Sequence, residues 1–242
     1  MRDVVELVGV LDPAWPWLVA DLDSSFADYA ILPPEPQSCE AALHQLQVTA
    51  RSPLGAVVLN TAGVLVHGGW LRMYGGSGGG STGMPSIGEV NGFPADPVPG
   101  WQPAAGLIIA HDVLGGVFAL NGAHPQQHGR PGVPGSVVHF SAATLTWEDL
   151  DMGHTEWLSW VVEDATSHYR DLLWPTWRAE CAALGLREGI SVYPSPWSDE
   201  AQQDMAATTR GAVPLEQILD MHAASCLQLV LDDPGALGFN RG

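Results

Sequence analysis

Residues 106–121, GLIIAHDVLGGVFALN, decide how the chain is read. Two apolar runs, 106–111 and 116–121, flank Asp112-Val113-Leu114-Gly115, and aspartate and glycine are turn formers. The pattern predicts two strands joined by a tight turn and therefore antiparallel. The neighbouring segments repeat the theme. Upstream, 54–60 (LGAVVLN) and 63–74 (GVLVHGGWLRMY) are β-rich and separated by Thr61-Ala62-Gly63, which suggests a hairpin. Downstream, SVVHFS (136–141) reads as a strand and TLTWED (144–149) as a short strand or turn. The middle of the chain is thus expected to be an antiparallel meander of about five or six strands.

Helical patterns lie on both sides. DVVELVGV (3–10) and AWPWLVADLDSS follow an amphipathic spacing, with Pro16 in a first turn. ILPPEP is extended, and Ser38 is placed to cap a helix over SCEAALHQLQVTA. After the meander, Thr155 is placed to cap EWLSWVVEDATSHYRDLLW, whose Trp157, Leu158, Val161, Val162 and Ala165 recur at helical spacing. Pro175 interrupts it, TWRAECAALGL continues, GISVYPSPW reads as a short strand, and 213–231 is a last helix before a frayed tail. The expectation is one α+β domain over 1–210, helical at 1–50 and 155–185 with its sheet at 54–150. The helix and tail of 211–242 pack on that same domain.

The 242 residues are 46% apolar, enough for a large core, and include ten tryptophans. Several of these are expected to anchor the core and one or two, such as Trp174 and Trp177, to line a groove. The formal charge is −18, and all nine basic residues are arginine, which excludes Walker A, Schiff-base and general-base lysines. Such acidity repels phosphate backbones and favours encounter with a basic protein. Cys39, Cys181 and Cys226 form no CxxC and read as buried thiols in a reducing compartment. Acids interrupt the N-terminal apolar stretch and no run reaches transmembrane length, so a cytoplasmic location and no membrane partner are expected.

Chemistry-bearing motifs are sparse. Gly75-Gly76-Ser77-Gly78-Gly79 fits GxSxG and Gly78-x-Gly80-x-x-Gly83 fits the dinucleotide fingerprint, but glycine and proline forbid the helix each must open. The whole 75–105 stretch is read as a loop without regular structure. His124 and His128 lie in a Pro/Gly loop, where i, i+4 spacing does not align two imidazoles, so no metal and no cofactor is expected. Carboxylate groups at Glu148/Asp149/Asp151 and Asp199/Glu200/Asp204 fit turns and caps better than an acid–base pair. The recognition candidate is Trp70–Arg72–Tyr74, which alternates onto one strand face and would grip carboxylates or rings; the rival reading is a buried arginine. Asp112, Gly115 and Gly116 form a tight turn in which Asp112 bonds backbone N–H groups.

LQVTARSPLGAVVLNTAGVLVHGGWLRMYG, GLIIAHDVLGGVFALNG, VVHFSAATLTWEDLDMGHTEWLSWVV and YRDLLWPTWRAE, in that order, resemble a bacterial family known as domain of unknown function 2625. The order of Asp-x-x-Gly-Gly, a strand ending Asn121-Gly122, His139-Phe140 and the helix start at 155–158 is also similar to the SUKH superfamily. That resemblance implies an antiparallel sheet flanked by helices, a role as an immunity protein that neutralises a toxin, and no enzymatic activity. The chain departs from it in the 75–105 loop and the extra C-terminal helices. The reading that results is a binding protein of immunity or antitoxin type, offering an acidic surface and the Trp70–Arg72–Tyr74 face to a protein such as a basic toxin. The alternatives are a hydrolase or transferase using Asp112, His111 or His139 beneath the 75–105 loop, and a ligand-sensing module.

Overall fold

The computed structural model describes residues 1–79, 82–163 and 165–239. Seven strands form one antiparallel sheet in strict chain order: β1 (Tyr29–Leu32), β2 (Gly63–Val66), β3 (Leu71–Tyr74), β4 (Gly106–Asp112), β5 (Val117–Asn121), β6 (Ser136–Phe140) and β7 (Trp147–Gly153). The α+β class and the meander are therefore as read, with a sheet slightly larger than anticipated. Two strands are additional: β1, inside the region read as helical, and a second strand from 63–74, read as one strand paired with 54–60 but itself the hairpin β2–β3. β1 pairs with β2 from Tyr29 opposite Val66 to Leu32 opposite Gly63.

One segment reverses the sequence reading. Residues 54–60 are not a strand but most of helix α4 (Pro53–Asn60). Ser52 accepts from the Gly55 amide at 3.0 Å and Pro53 occupies the first turn, both marks of a helix start. A short apolar run buried on several sides carries no periodicity that separates helix from strand. Gly55 is required here, since a Cβ would sit 2.1 Å from the Thr49 carbonyl oxygen. The helices before it are α1 (Val4–Val8), α2 (Trp15–Ser24) and α3 (Pro36–Leu46). α3 is capped by Glu35 rather than Ser38.

Register assigns each side chain to a face. Arg72, His111, Val117, Phe140 and Trp147 are cross-strand partners and share one face. Met73, Ala110, Phe118 and His139 share the other, as do Leu71 and Asp112. The second face is covered by α2 and by α6 (His154–Glu163), which is followed by α7 (Ala165–His168); Phe118 meets Trp157 there. The first is covered by α5 (Ile87–Asn91), by α10 (Leu215–Gln228) with the hairpin β8 (Glu188–Tyr193) and β9 (Thr209–Pro214), and by the C-terminal tail. The remaining α8 (Trp177–Ala182) and α9 (Asp199–Gln203) are short.

α5 lies within the 75–105 stretch, which was expected to have no regular structure. The tail was expected to fray; instead Trp147 Nε1 donates to the Pro234 carbonyl at 2.9 Å, Leu237 is buried, and Phe239 N donates to the Val90 carbonyl. All three cysteines are free and buried.

Candidate functional site

β4 ends in Asp112, and the turn that follows is built on its carboxylate. Asp112 Oδ1 accepts from the amides of Leu114 at 2.8 Å and Gly116 at 2.9 Å, the turn-closing role read from the sequence. Gly115 has φ +84°, and a Cβ on Gly116 would lie 2.0 Å from Asp112 Oδ2. The sequence Asp-x-x-Gly-Gly is thus fixed by steric fit around one buried carboxylate.

Asp112 Oδ2 faces His139. His139 Nε2 is 4.0 Å away, and the Tyr169 hydroxyl adjoins the carboxylate, with the Trp70 indole against Tyr169 at 5.2 Å between centroids. Trp70 Nε1, His139 Nε2 and the Tyr169 hydroxyl are all buried and make no hydrogen bond. His139 and Tyr169 lie beside the ionised carboxylate and Trp70 lies beside Tyr169, so the buried charge has polar neighbours. Burial pushes the Asp112 pKa up, but His139 and the Gly116 and Leu114 amides outweigh it and the net shift is downward. Tyr169 shifts upward through burial and the adjacent carboxylate.

The chain of groups continues outward. His139 stacks on Phe118, and its Nδ1 lies 3.2 Å from His168 Nε2. His168 keeps an exposed edge while Trp160 and Tyr169 pack its ring; desolvation there, and then His139, lower its pKa. Asp112, His139 and His168 therefore form a line of groups from the core to the surface, of which His139 and His168 are the hydrogen-bonded pair. The hydrogen bond orients the two imidazoles, and neither Asp112 nor His139 lines any of five well-formed cavities among the described residues.

His111 does not join it. Adjacent strand residues point to opposite faces, so His111 lies under the tail, with the Tyr74 hydroxyl donating to Nδ1 at 2.7 Å and Nε2 donating to the Leu237 carbonyl at 2.7 Å. Burial lowers its pKa to about 4. α5, in the 75–105 stretch, packs on this same face, opposite to the one that carries Asp112 and His139.

The Trp70–Arg72–Tyr74 row is not an exposed face. The three residues are 1%, 2% and 2% exposed, because β3 is an interior strand covered on both faces. Trp70 sits among Tyr169, Trp174 and Trp177. Trp174 is buried under Arg210 and Trp177 is half-buried beside Arg178, so they do not line an open groove. Arg72 donates to the carbonyls of Gly69, Gly185 and Glu188, not to an acid. Ser77 of the GxSxG match is buried and receives the Glu35 amide. Gly80 of the dinucleotide match lies outside the described residues. No group of three metal-ligating side chains occurs among the described residues.

Sequence reasoning missed His168, Tyr169 and Arg130. Tyr169 stands four residues after Ala165, so extending the Trp157–Ala165 stripe one turn would have turned it inward. Nothing local marks Arg130, which lies in a Pro/Gly loop.

These features define a class: an α+β protein with a covered antiparallel meander organised about a buried aspartate. The chain belongs to the family described as protein of unknown function DUF2625, whose model matches residues 4–218. It is similar to the uncharacterised protein YbfG of Escherichia coli (strain K12), 34% identical over 91% of this chain and 95% of the relative. An uncharacterised protein of Haemophilus influenzae is 31% identical over 76% of this chain and 78% of its own. No solved structure matches the chain. No helix among the described residues is long and apolar enough to cross a membrane.

Proposed function

We propose that the protein works by binding a basic protein partner through its acidic exterior and that it is not an enzyme. The observation that supports this most is the placement of charge. Asp112 is the one buried carboxylate among the described residues, and it is engaged in closing its own turn. Every other described acid reaches solvent. Arginine is divided: Arg72 and Arg130 are buried, Arg178, Arg187 and Arg210 are paired with Asp28, Glu89 and Glu180, and Arg2, Arg51 and Arg170 are exposed. Among the described residues, burial of two arginines against one aspartate leaves the exterior one charge more negative than the −18 of the whole chain. Such a field accelerates association with a cationic surface.

β7 supplies a place for contact. It pairs only with β6, and Glu148, Asp149 and Asp151 are exposed along it. Those charges block edge-to-edge pairing between copies and leave the strand open to a partner of opposite sign. The finer reading, immunity against a basic toxin, rests on the SUKH resemblance. The test is capture of a basic protein at low and high salt, by the natural chain and by a triple variant Glu148→Gln, Asp149→Asn, Asp151→Asn. Capture weakened by both salt and neutralisation is expected; capture indifferent to both rejects the proposal.

A second reading keeps one supporting observation: the Asp112–His139–His168 line ends at a partly exposed imidazole able to act as an acid or base. Rapid carbethoxylation of His168 by diethyl pyrocarbonate, slowed by Asp112→Asn, would favour it. Equal reactivity in both would leave the line a packing device.

A further inference from the structure

Arg130 is a cation without an anion. It is 2% exposed, and none of the carboxylates of the described residues lies within ion-pair distance of it. Its guanidinium lies 4.4 Å over the Trp147 ring, Nη1 donates to the Ala105 carbonyl at 2.7 Å, and Nη2 reaches the Ala236 carbonyl at 3.3 Å. Nε is buried with no partner at all. A buried full charge held only by neutral carbonyls and a ring face is under-compensated. Burial accordingly lowers the Arg130 pKa to about 10.

Arg130 also lines an open groove of about 760 Å³ between the 101–106 segment, the turn at 127–130 and the tail at 233–236. That volume lies in the range of small-molecule sites. The apolar lining comes from Val90, Ile108 and Trp101, whose ring is braced edge-on by Phe93. Asn91 is not free to select a ligand, since its amide serves Ile87 and Ile108. Asp233 lines the same groove, with Oδ1 accepting from the Gly235 amide.

We propose that this groove binds a small monocarboxylate with an apolar body. Arg130 would grip the carboxylate side-on through Nε and Nη2, and the body would lie against Trp101. The unused Nε and the long Nη2 bond make up the edge of the fork that a planar carboxylate matches. Nη1, at 2.7 Å from Ala105, stays as the anchor. A single guanidinium beside Asp233 suits one negative charge and disfavours a phosphate dianion. Because Nη2 presently holds Ala236, occupancy would also loosen the tail.

The experiment is titration calorimetry, with tryptophan fluorescence in parallel, using phenylacetate, phenylacetamide, acetate and inorganic phosphate as probes. Phenylacetate is expected to bind saturably and at least about tenfold more tightly than phenylacetamide, since a charge-assisted bidentate pair is worth more than a factor of ten. Arg130→Gln should erase that preference, and Arg130→Lys should reduce it by keeping the charge without the fork. Trp101→Ala should weaken phenylacetate while leaving acetate unchanged. This last variant changes a partly exposed ring, so it reports even if the Arg130 variants do not fold. The proposal is overturned by absence of saturable phenylacetate binding, by equal affinity for acid and amide, by phosphate binding as well as phenylacetate, or by Trp101→Ala leaving phenylacetate unchanged. None of these outcomes bears on partner capture through the β7 edge.

Discussion

Arg72 and Arg130 are the two buried arginines among the described residues, and they are buried in different ways. Arg72 donates to three carbonyls and fastens β3 to the 185–188 turn that opens β8. Arg130 bonds two, at a groove, and leaves Nε without a partner. The first is a saturated staple. The second is an incomplete one, and incompleteness at a surface concavity is where a binding function can reside. His111 stands between the two regions, bonded to Tyr74 on the Arg72 side and to the tail carbonyl of Leu237 on the Arg130 side.

The largest expected effect comes from acid, which attacks the groups that join these regions. Burial lowers both His111 and His222 from the ordinary 6.5 to about 4. Both are neutral in the folded chain, while below pH 6.5 the unfolded chain takes up protons that the folded one refuses. Stability is therefore complete above about pH 6.5 and is lost as the pH falls toward 4. At about 1.4 kcal/mol per pH unit and residue, the combined loss is on the order of 5 kcal/mol. Thermal unfolding followed from neutral to acidic pH checks this, and a melting temperature that stays level between about pH 7 and about pH 5 contradicts it. His222→Leu should flatten the acid limb by removing one titrating group.

The next effect separates the two arginines directly. Arg72→Met should destabilise by about 3 kcal/mol, because buried carbonyls lose their donors. Arg130→Met should cost about 1 kcal/mol, since the same change also removes an under-compensated charge. Urea unfolding of both variants measures the difference. Equal losses, or a larger loss at Arg130, would mean that the groove is as completed a structure as the β3 staple.

That contrast also marks where the sequence was legible. The meander could be read because Asp112-x-x-Gly115-Gly116 carries its own turn chemistry, and the structure places the Asp112 carboxylate on the Leu114 and Gly116 amides. Helix α4 was misread because its apolar run has no polar face to set a period, and the Ser52-Pro53 start was the outweighed clue. Alternation put Arg72 and Tyr74 on one face, but alternation says nothing about what covers that face, and here a hairpin and helix distant in sequence do. Trp70, outside the strand proper, turned toward the Tyr169–Trp174–Trp177 cluster. Arg130 was invisible for a different reason. Its meaning depends on carbonyls at 105 and 236, which only the folded chain brings together.

The smallest effect concerns the arginine that already has its carboxylate. Arg187 holds Glu89 through two parallel bonds of 2.6 and 2.7 Å, the pairing proposed for Arg130 and a ligand. Both side chains are more than two-fifths exposed, so water competes with the pair and salt screens it. Arg187→Gln should then lower stability by less than about 1 kcal/mol, even though its geometry is better than that of any bond Arg130 makes. Urea unfolding at low and high salt reads it, with the small difference shrinking further as salt rises. A loss at Arg187 exceeding that at Arg72 would show that pair geometry outweighs burial in this protein, and the case for a ligand at Arg130, which rests on burial without compensation, would weaken with it.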